Sequence, residues 1–383
     1  MQLLARHYRT HQTLFLSMDR GRITRLEQAS DPLAEDGPFV APAWFDLQIN
    51  GCRGKAFVDP SLTPDGVAHI VATCQQHGIA AFCPTLITAS FDDLHAGFCL
   101  LRRVREQSPA WAEAMPCFHL EGPYLSFEDG PRGAHPRHHI RPPDEAEFAR
   151  LQEAAGGAIR LITLAPEWPE ALRFIERRVA EGLVVALGHT AARPERIRDA
   201  VSAGAKLSTH LGNGCHALLP RHDNYLWEQL ADDRLTASLI GDGHHLPEAV
   251  LRVMLRVKRP GQVILTCDAS SLAGLPPGRY AQWGSELEVL PGGKVIVPGT
   301  PFLAGSGVLL DACLRHLEQL GEWELADLLD AASVQPRALL GLPPRELAVG
   351  APAEVIVFRP QPFRLLQTIL GESVVQPEGG SCV

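Results

Sequence analysis

"HLEGPYL", residues 119–125, ends an apolar run in a glutamate and then turns on Gly-Pro. The run it closes, "MPCFHLE" (115–121), has the near-continuous apolarity of a strand buried on both faces. Glu121 stands where such a strand should end in an apolar or turn-forming residue. A carboxylate there is either solvated by accident or holding something, and the rest of the chain decides which.

Seven more runs share this form: "WFDLQIN" (44–50), "IAAFCPTLI" (79–87), "IRLITLA" (159–165), "LVVALGH" (183–189), "AKLSTH" (205–210), "LTASLIGD" (235–242) and "QVILTCD" (262–268). Helical periodicity lies between them. Val67, Ile70, Val71 and Cys74 recur on one face, and Pro194 and Pro247 open further helical segments. Leu309, Ala312, His316 and Leu320 fit a helix after the eighth run. Eight strands alternating with helices predict an α/β fold of the (β/α)8 TIM-like barrel type. A doubly wound open sheet is the alternative, but no Gly-x-Gly-x-x-Gly follows the first run, which argues against dinucleotide binding.

The flanks read differently. "TLFLSMD", "GRITRLEQ" and "GAPAEVIVFRP" are short β-like pieces, too small to stand alone. We expect residues 1–43 and 345–383 to pair into a small β-sandwich beside a barrel of residues 44–344. A hairpin insertion is expected near 275–300.

Composition narrows the class. Of 383 residues, 45% are hydrophobic and 21% charged, enough for a large soluble core. The net charge of −9, with no Lys/Arg run, argues against a nucleic-acid or membrane partner. Arg6, His7 and Arg9 interrupt the N-terminus, so no signal peptide is expected, and no apolar stretch is long enough to span a bilayer. The nine cysteines are scattered, mostly within apolar runs, and read as buried thiols of a reducing, cytoplasmic compartment.

In a barrel enzyme the chemistry sits at the C-terminal ends of the strands. Here those ends carry Gln48 and Asn50, Glu121, His189, His210, Asp242 with His245, and Asp268. Any one histidine or aspartate there is more often structural; together they converge. Glu121, His189 and His210 form an N/O donor set suited to one divalent transition metal with a position left for water. Such an ion lowers the pKa of its water and polarises a carbonyl, while Asp268 is placed to take a proton and pass it to a leaving group. "GAH" (133–135) alone reads as a polar loop more often than a site, and the glycines of "LGNGCHALLPRHDN" (211–224) either let backbone N–H groups approach a ligand or make a flexible loop. Arg221 is either an anion clamp or an exposed surface arginine.

These motifs, taken in order, resemble the amidohydrolase superfamily and within it the N-acetylglucosamine-6-phosphate deacetylases. They are "FDLQINGCRG" (45–54), "HLEGPYL", "RGAH" (132–135), "LGHT" (187–190), "THLGN" (209–213), "GDGHH" (241–245), "TCDAS" (266–270) and "LAGS" (303–306). The resemblance implies the barrel with its two-ended β-sandwich. It implies metal ligation by Glu121, His189 and His210, and Asp268 as general base and acid. His135 would polarise the amide carbonyl, and Gln48, Asn50, Asn213, Gly214, Arg221 and His245 would bind substrate. Gln48-Ile49-Asn50 stands where many relatives carry His-x-His, which implies one metal rather than two. Zinc is the default, with iron, cobalt or manganese able to occupy such a set.

The implied activity is deacetylation of N-acetylglucosamine 6-phosphate by a homodimer whose partner copy adds to the phosphate site. The phosphate turn departs from the family pattern, reading Gly212-Asn213-Gly214-Cys215, and His222 to Trp227 lack its usual continuation. That leaves open an amidohydrolase acting on another N-acyl amino sugar, an N-acyl amino acid or a cyclic amide without phosphate. A non-catalytic metal-binding protein is the remaining class, disfavoured because all three ligands and Asp268 are present.

Overall fold

The computed structural model of the chain describes residues 1–30, 33–34, 36–282, 285–300 and 302–377. Cys382 and the end of the terminal segment (378–383) lie outside these, as do Trp283 and Gly284 of the expected hairpin.

All eight apolar runs form strands: β1 (Trp44–Ile49), β2 (Ile79–Ile87), β3 (Phe118–Glu121), β4 (Ile159–Leu164), β5 (Val184–Leu187), β6 (Leu207–Ser208), β7 (Thr236–Ile240) and β8 (Val263–Thr266). They lie parallel in chain order. The ring closes at β1 and β8, where Ile49 bridges Ala269 and the Asn50 N–H donates to the Ala269 carbonyl at 2.9 Å. Asp46, fully buried in β1, reinforces this seam. Its carboxylate accepts from the Thr266 hydroxyl and from the Cys267 N–H. Phe45, Leu47, Cys83, Leu161 and Ile264 fill the barrel floor, so this end is packed core and the opposite end is free for chemistry.

The helices start where the sequence says. Thr63 caps the helix Pro64–Gln76 through the Gly66 N–H, and its apolar stripe buries Val67, Ile70, Val71 and Cys74. Ser90 caps Phe91–Glu106 in the same way through Asp93. Pro194 is the first residue of its helix, while Pro247 and Leu309 each stand one position before theirs. No helix among the described residues is long and apolar enough to cross a membrane.

Both termini build one seven-stranded sheet, with strands 39–42, 2–7, 13–19 and 22–28 continuing the C-terminal strands 354–360, 363–370 and 373–375. The sheet curls on itself. Edge strand 22–28 returns to the C-terminal segment through an Arg22–Pro352 bridge and a Gly350 N–H to Ile23 carbonyl bond of 2.7 Å. Leu16, Met18, Ile23, Val355 and Ile369 form the core inside it. The insertion is larger than a hairpin: strands 278–282, 285–289, 294–296 and 303–306 make a four-stranded antiparallel sheet around Leu287, Val289 and Val295. Its fourth strand, read from the sequence only as the motif "LAGS", returns to the barrel, where Ser306 bridges Ala269.

Candidate active site

The strand ends meet in one cavity of about 340 Å³, whose walls include Asn50, Glu121, His135, His189, His210, Asn213, Gly214, His245 and Asp268. Three of these hold a conformation that L-residues rarely adopt: φ is 51° at His189, 30° at His210 and 50° at Asp268. Each stands two residues past the end of its strand and lines the cavity. Backbone strain of this kind at three convergent polar residues marks a functional centre.

Glu121, His189 and His210 are buried and share a focus. Glu121 Oε1 lies 3.1 Å from His210 Nε2 and 3.4 Å from His189 Nε2, and the two Nε2 atoms are 3.1 Å apart. Donors held about 2.1 Å from one small ion stand roughly 3.0–3.4 Å from each other, so the set fits a single divalent cation. His189 Nδ1 donates to the Pro131 carbonyl at 2.8 Å, which leaves Nε2 as the metal-facing lone pair. Glycines pack close to this ring: a Cβ on Gly214 would lie 2.6 Å from His189 Nδ1. The electrostatics agree with a cation site. Burial would raise the Glu121 carboxyl, but the His189 and His210 imidazoles around it outweigh this and hold Glu121 well below the usual range. Burial would lower His210, and Glu121 reverses that.

Asp268 faces the triad from β8. Burial, then the charge of Glu121, pushes its carboxyl up to about 7. Its Oδ1 accepts from Asn50 Nδ2 at 2.7 Å and from Gln48 Nε2 at 2.9 Å, and the same Gln48 nitrogen reaches Glu121 Oε1 at 2.9 Å. The two amides, Gln48 in β1 and Asn50 just after it, therefore brace the carboxylates, and Gln48 is not among the cavity-lining residues. Asn50 lines the cavity, and its buried Oδ1 has no partner among the described residues.

His135 lies edge-on to His189, ring centroids 4.3 Å apart, with Nδ1 2.9 Å from the Thr88 hydroxyl. Burial, then the neighbouring His189, lowers it to about 3, so it is a neutral imidazole. On the opposite side, His245 Nδ1 donates to Asp242 Oδ2 at 2.8 Å, and Ser306 donates to the same oxygen at 3.0 Å. Asn213 is tied by its amide to the His210 carbonyl at 3.1 Å. Arg221 is not brought in: it is exposed on the 211–224 loop, away from the cavity walls.

Several residues that shape the site carried no role in the sequence reading. Asp242 orients His245, Thr88 orients His135, and Asp46 fixes the β1–β8 seam beneath Asp268. His119, inside the opening stretch, is buried and bonds Thr163 at 2.8 Å, and Thr163 bonds Thr209 at 2.7 Å, tying β3, β4 and the turn after β6 under the triad. For Asp46 and His119 the signal was available: each interrupts an otherwise apolar run.

No protein-family model matches the chain. A Bos taurus N-acetylglucosamine-6-phosphate deacetylase is 36% identical over 355 residues, covering 89% of this chain and 85% of the relative. The chain belongs to the N-acetylglucosamine-6-phosphate deacetylase family. It is thus a carbon–nitrogen hydrolase of the metal-dependent amidohydrolase superfamily. An N-acetylgalactosamine-6-phosphate deacetylase of Escherichia coli O157:H7 is 30% identical over 307 residues, 80% of this chain and 79% of its own. Among solved structures, a point mutant of the Mycobacterium smegmatis N-acetyl-D-glucosamine-6-phosphate deacetylase, in complex with N-acetyl-D-glucosamine-6-phosphate, superposes with a TM-score of 0.86 at 28% identity. The match covers 98% of this chain and 99% of that one. The deacetylase fold extends further: a 5-methylcytosine deaminase from Klebsiella pneumoniae shares it at a TM-score of 0.60 and 12% identity.

Proposed function

We propose that this chain hydrolyses the acetamide of N-acetylglucosamine 6-phosphate to glucosamine 6-phosphate and acetate. The observation that carries the proposal is the meeting of Glu121, His189 and His210 with Asp268 and His135 in one cavity. Glu121, His189 and His210 would hold a divalent cation, which would supply Lewis acidity at the carbonyl and lower the pKa of the attacking water. Asp268 takes the attacking water's proton and returns it to the amine nitrogen, a two-way role open to a buried carboxyl that faces the triad. Asn50 and Gln48 keep that carboxylate aimed. His135, neutral and held at Nδ1 by Thr88, offers its Nε2 proton to the oxyanion that develops on the carbonyl. Asn213, Gly214 and His245 bind the sugar, with Asp242 fixing the His245 ring.

The ion in this proposal is zinc, for which the N/O donor set is suited; elemental analysis of the purified protein tests it against iron, cobalt and manganese. The protein is a cytoplasmic homodimer in the same reading. The eight described cysteines, all free, fit a reducing compartment. A second copy completing the phosphate end fits a cavity lined, among the described residues, by no lysine or arginine, beside a loop that carries Arg221 on the surface. That same lack of a cation favours, as a second reading, an N-acyl substrate without phosphate. Acetate release from the phosphorylated sugar by metal-loaded enzyme tests the first reading. Arg221→Ala separates the two: it raises KM for the phosphorylated compound alone if the first is right.

A further inference from the structure

The catalytic cavity has a larger neighbour. A second cavity of about 620 Å³ lies between the loops after β1, β2 and β3 and the insertion sheet. Ile87, Gly133, Ala134, His135, Phe302 and Ala304 line both, so the two adjoin across this wall. Apart from His135 the wall is apolar, and Gly133, Ala134 and Ala304 bring no side chain larger than a methyl. The charges farther out are met by their own neighbours. Arg132 binds Asp129 at 2.7 Å and the His135 carbonyl at 3.1 Å. Asp93 accepts from the Ser90 hydroxyl at 2.6 Å, and Asp59 from the Ser61 hydroxyl at 2.7 Å.

The layout of the barrel says which part of a substrate faces this space. Asn213, Gly214 and His245 follow β6 and β7, and in an eight-strand ring β2 and β3 stand across the mouth from them. A substrate with its amine-bearing portion toward β6 and β7, and its carbonyl carbon between the triad and His135, directs its acyl substituent toward β2 and β3. The second cavity lies on that side.

We propose that the second cavity is an acyl subsite, through which this enzyme hydrolyses N-acyl amino sugars whose linear, uncharged acyl chain is longer than acetyl. This rests on the deacetylase reading above. The reaction is unchanged in its balance: water oxygen bonds to the acyl carbon, the carbon–nitrogen bond breaks, the amine gains the proton, and the longer carboxylic acid leaves in place of acetate.

The test is a series of N-acetyl, N-propanoyl and N-butanoyl glucosamine 6-phosphates with metal-loaded enzyme. Each buried methylene is worth roughly fourfold, so the butanoyl compound is expected within about tenfold of acetyl in kcat/KM, or above it. Ala281→Trp and Val297→Trp alter residues that line only the second cavity, both outside the buried core. They are expected to slow butanoyl at least ~10-fold and leave acetyl unchanged, as filling an apolar subsite does. Acetyl turnover with butanoyl slower by more than ~100-fold overturns the acyl subsite alone. So do tryptophan variants that slow both compounds equally. Turnover of none of the three compounds overturns the deacetylase reading, and the inference with it.

Discussion

The Thr88 hydroxyl lies 2.9 Å from His135 Nδ1, and it can occupy that place only because residue 122 is glycine: a Cβ there would come within 2.2 Å of Thr88 Oγ1. Thr88→Val keeps the shape and removes the hydrogen bond. Losing one such bond costs about 0.5–1.5 kcal/mol, so kcat should fall up to roughly tenfold with metal content and KM little changed. Steady-state kinetics check this; an unaltered kcat would remove Thr88 as the positioner of His135.

Gly122→Ala should be the more damaging change. It forces a side chain onto φ +83° and onto Thr88 at once. We expect a loss of about 1–3 kcal/mol from backbone strain alone, read as a lower denaturation midpoint, with a fall in kcat through the displaced Thr88.

Asp268→Asn keeps the volume and removes the proton carrier. A fall in kcat of roughly 10²–10⁴-fold is expected, with metal still bound. Elemental analysis beside the kinetics separates the two effects. Activity near wild type would show that another group moves the proton.

Removing the metal should abolish turnover and lower the melting temperature, because Glu121, His189 and His210, which would hold it, come from the ends of three strands. An ion present at a thousand times its dissociation constant stabilises the fold by about 4 kcal/mol. Glu121→Ala should match chelated wild type in both activity and melting temperature, and added metal should restore only the wild type. A Glu121→Ala protein that binds metal as tightly as wild type would refute the ligand set.

Asp242 carries a pH signature. Burial would raise its carboxyl, but the His245 hydrogen bond and charge outweigh this and hold it well below the usual range. A depressed folded value contributes stability above the unfolded carboxylate pKa of about 4, and that stability is lost as pH falls toward the folded value. The stability gap between wild type and Asp242→Asn should therefore be full at pH 6–8, roughly two units or more above that pKa, and narrow on acidification. KM should rise through His245 while kcat is spared. A gap constant with pH would rule out the Asp242 carboxylate as its source.

The barrel was legible because strands buried on both faces must be near-continuously apolar, and eight such runs leave few architectures. The triad and Asp268 were legible because a polar residue at such a strand's end breaks the pattern. Thr88 and Ser306 were not, and Asp242 was read only as a polar strand end, without its bonds to His245 and Ser306. Hydroxyls and aspartates are common in loops, and only folding brings Thr88 to His135 or Ser306 to Asp242 across 64 residues of chain. The fourth insertion strand was missed for a related reason. "LAGS" is too short to show alternation, and its pairing partners are nonlocal.

The root of the insertion sheet has a consequence for how this protein can change. Ser306 receives nothing from chance contact: its N–H donates to the Asp268 carbonyl at 2.8 Å and its hydroxyl to Asp242. The appendage is spliced into the catalytic ends of two strands at its base, and its turn near 290–293 belongs to that base: the Gly307 N–H donates to the Gly293 carbonyl at 3.0 Å, and the His244 ring lies 2.8 Å from the Gly292 carbonyl. Evolution, or an engineer, can therefore lengthen or exchange the tip as a cassette, but a graft that moves the stem will mis-set the proton carrier before it reshapes any surface.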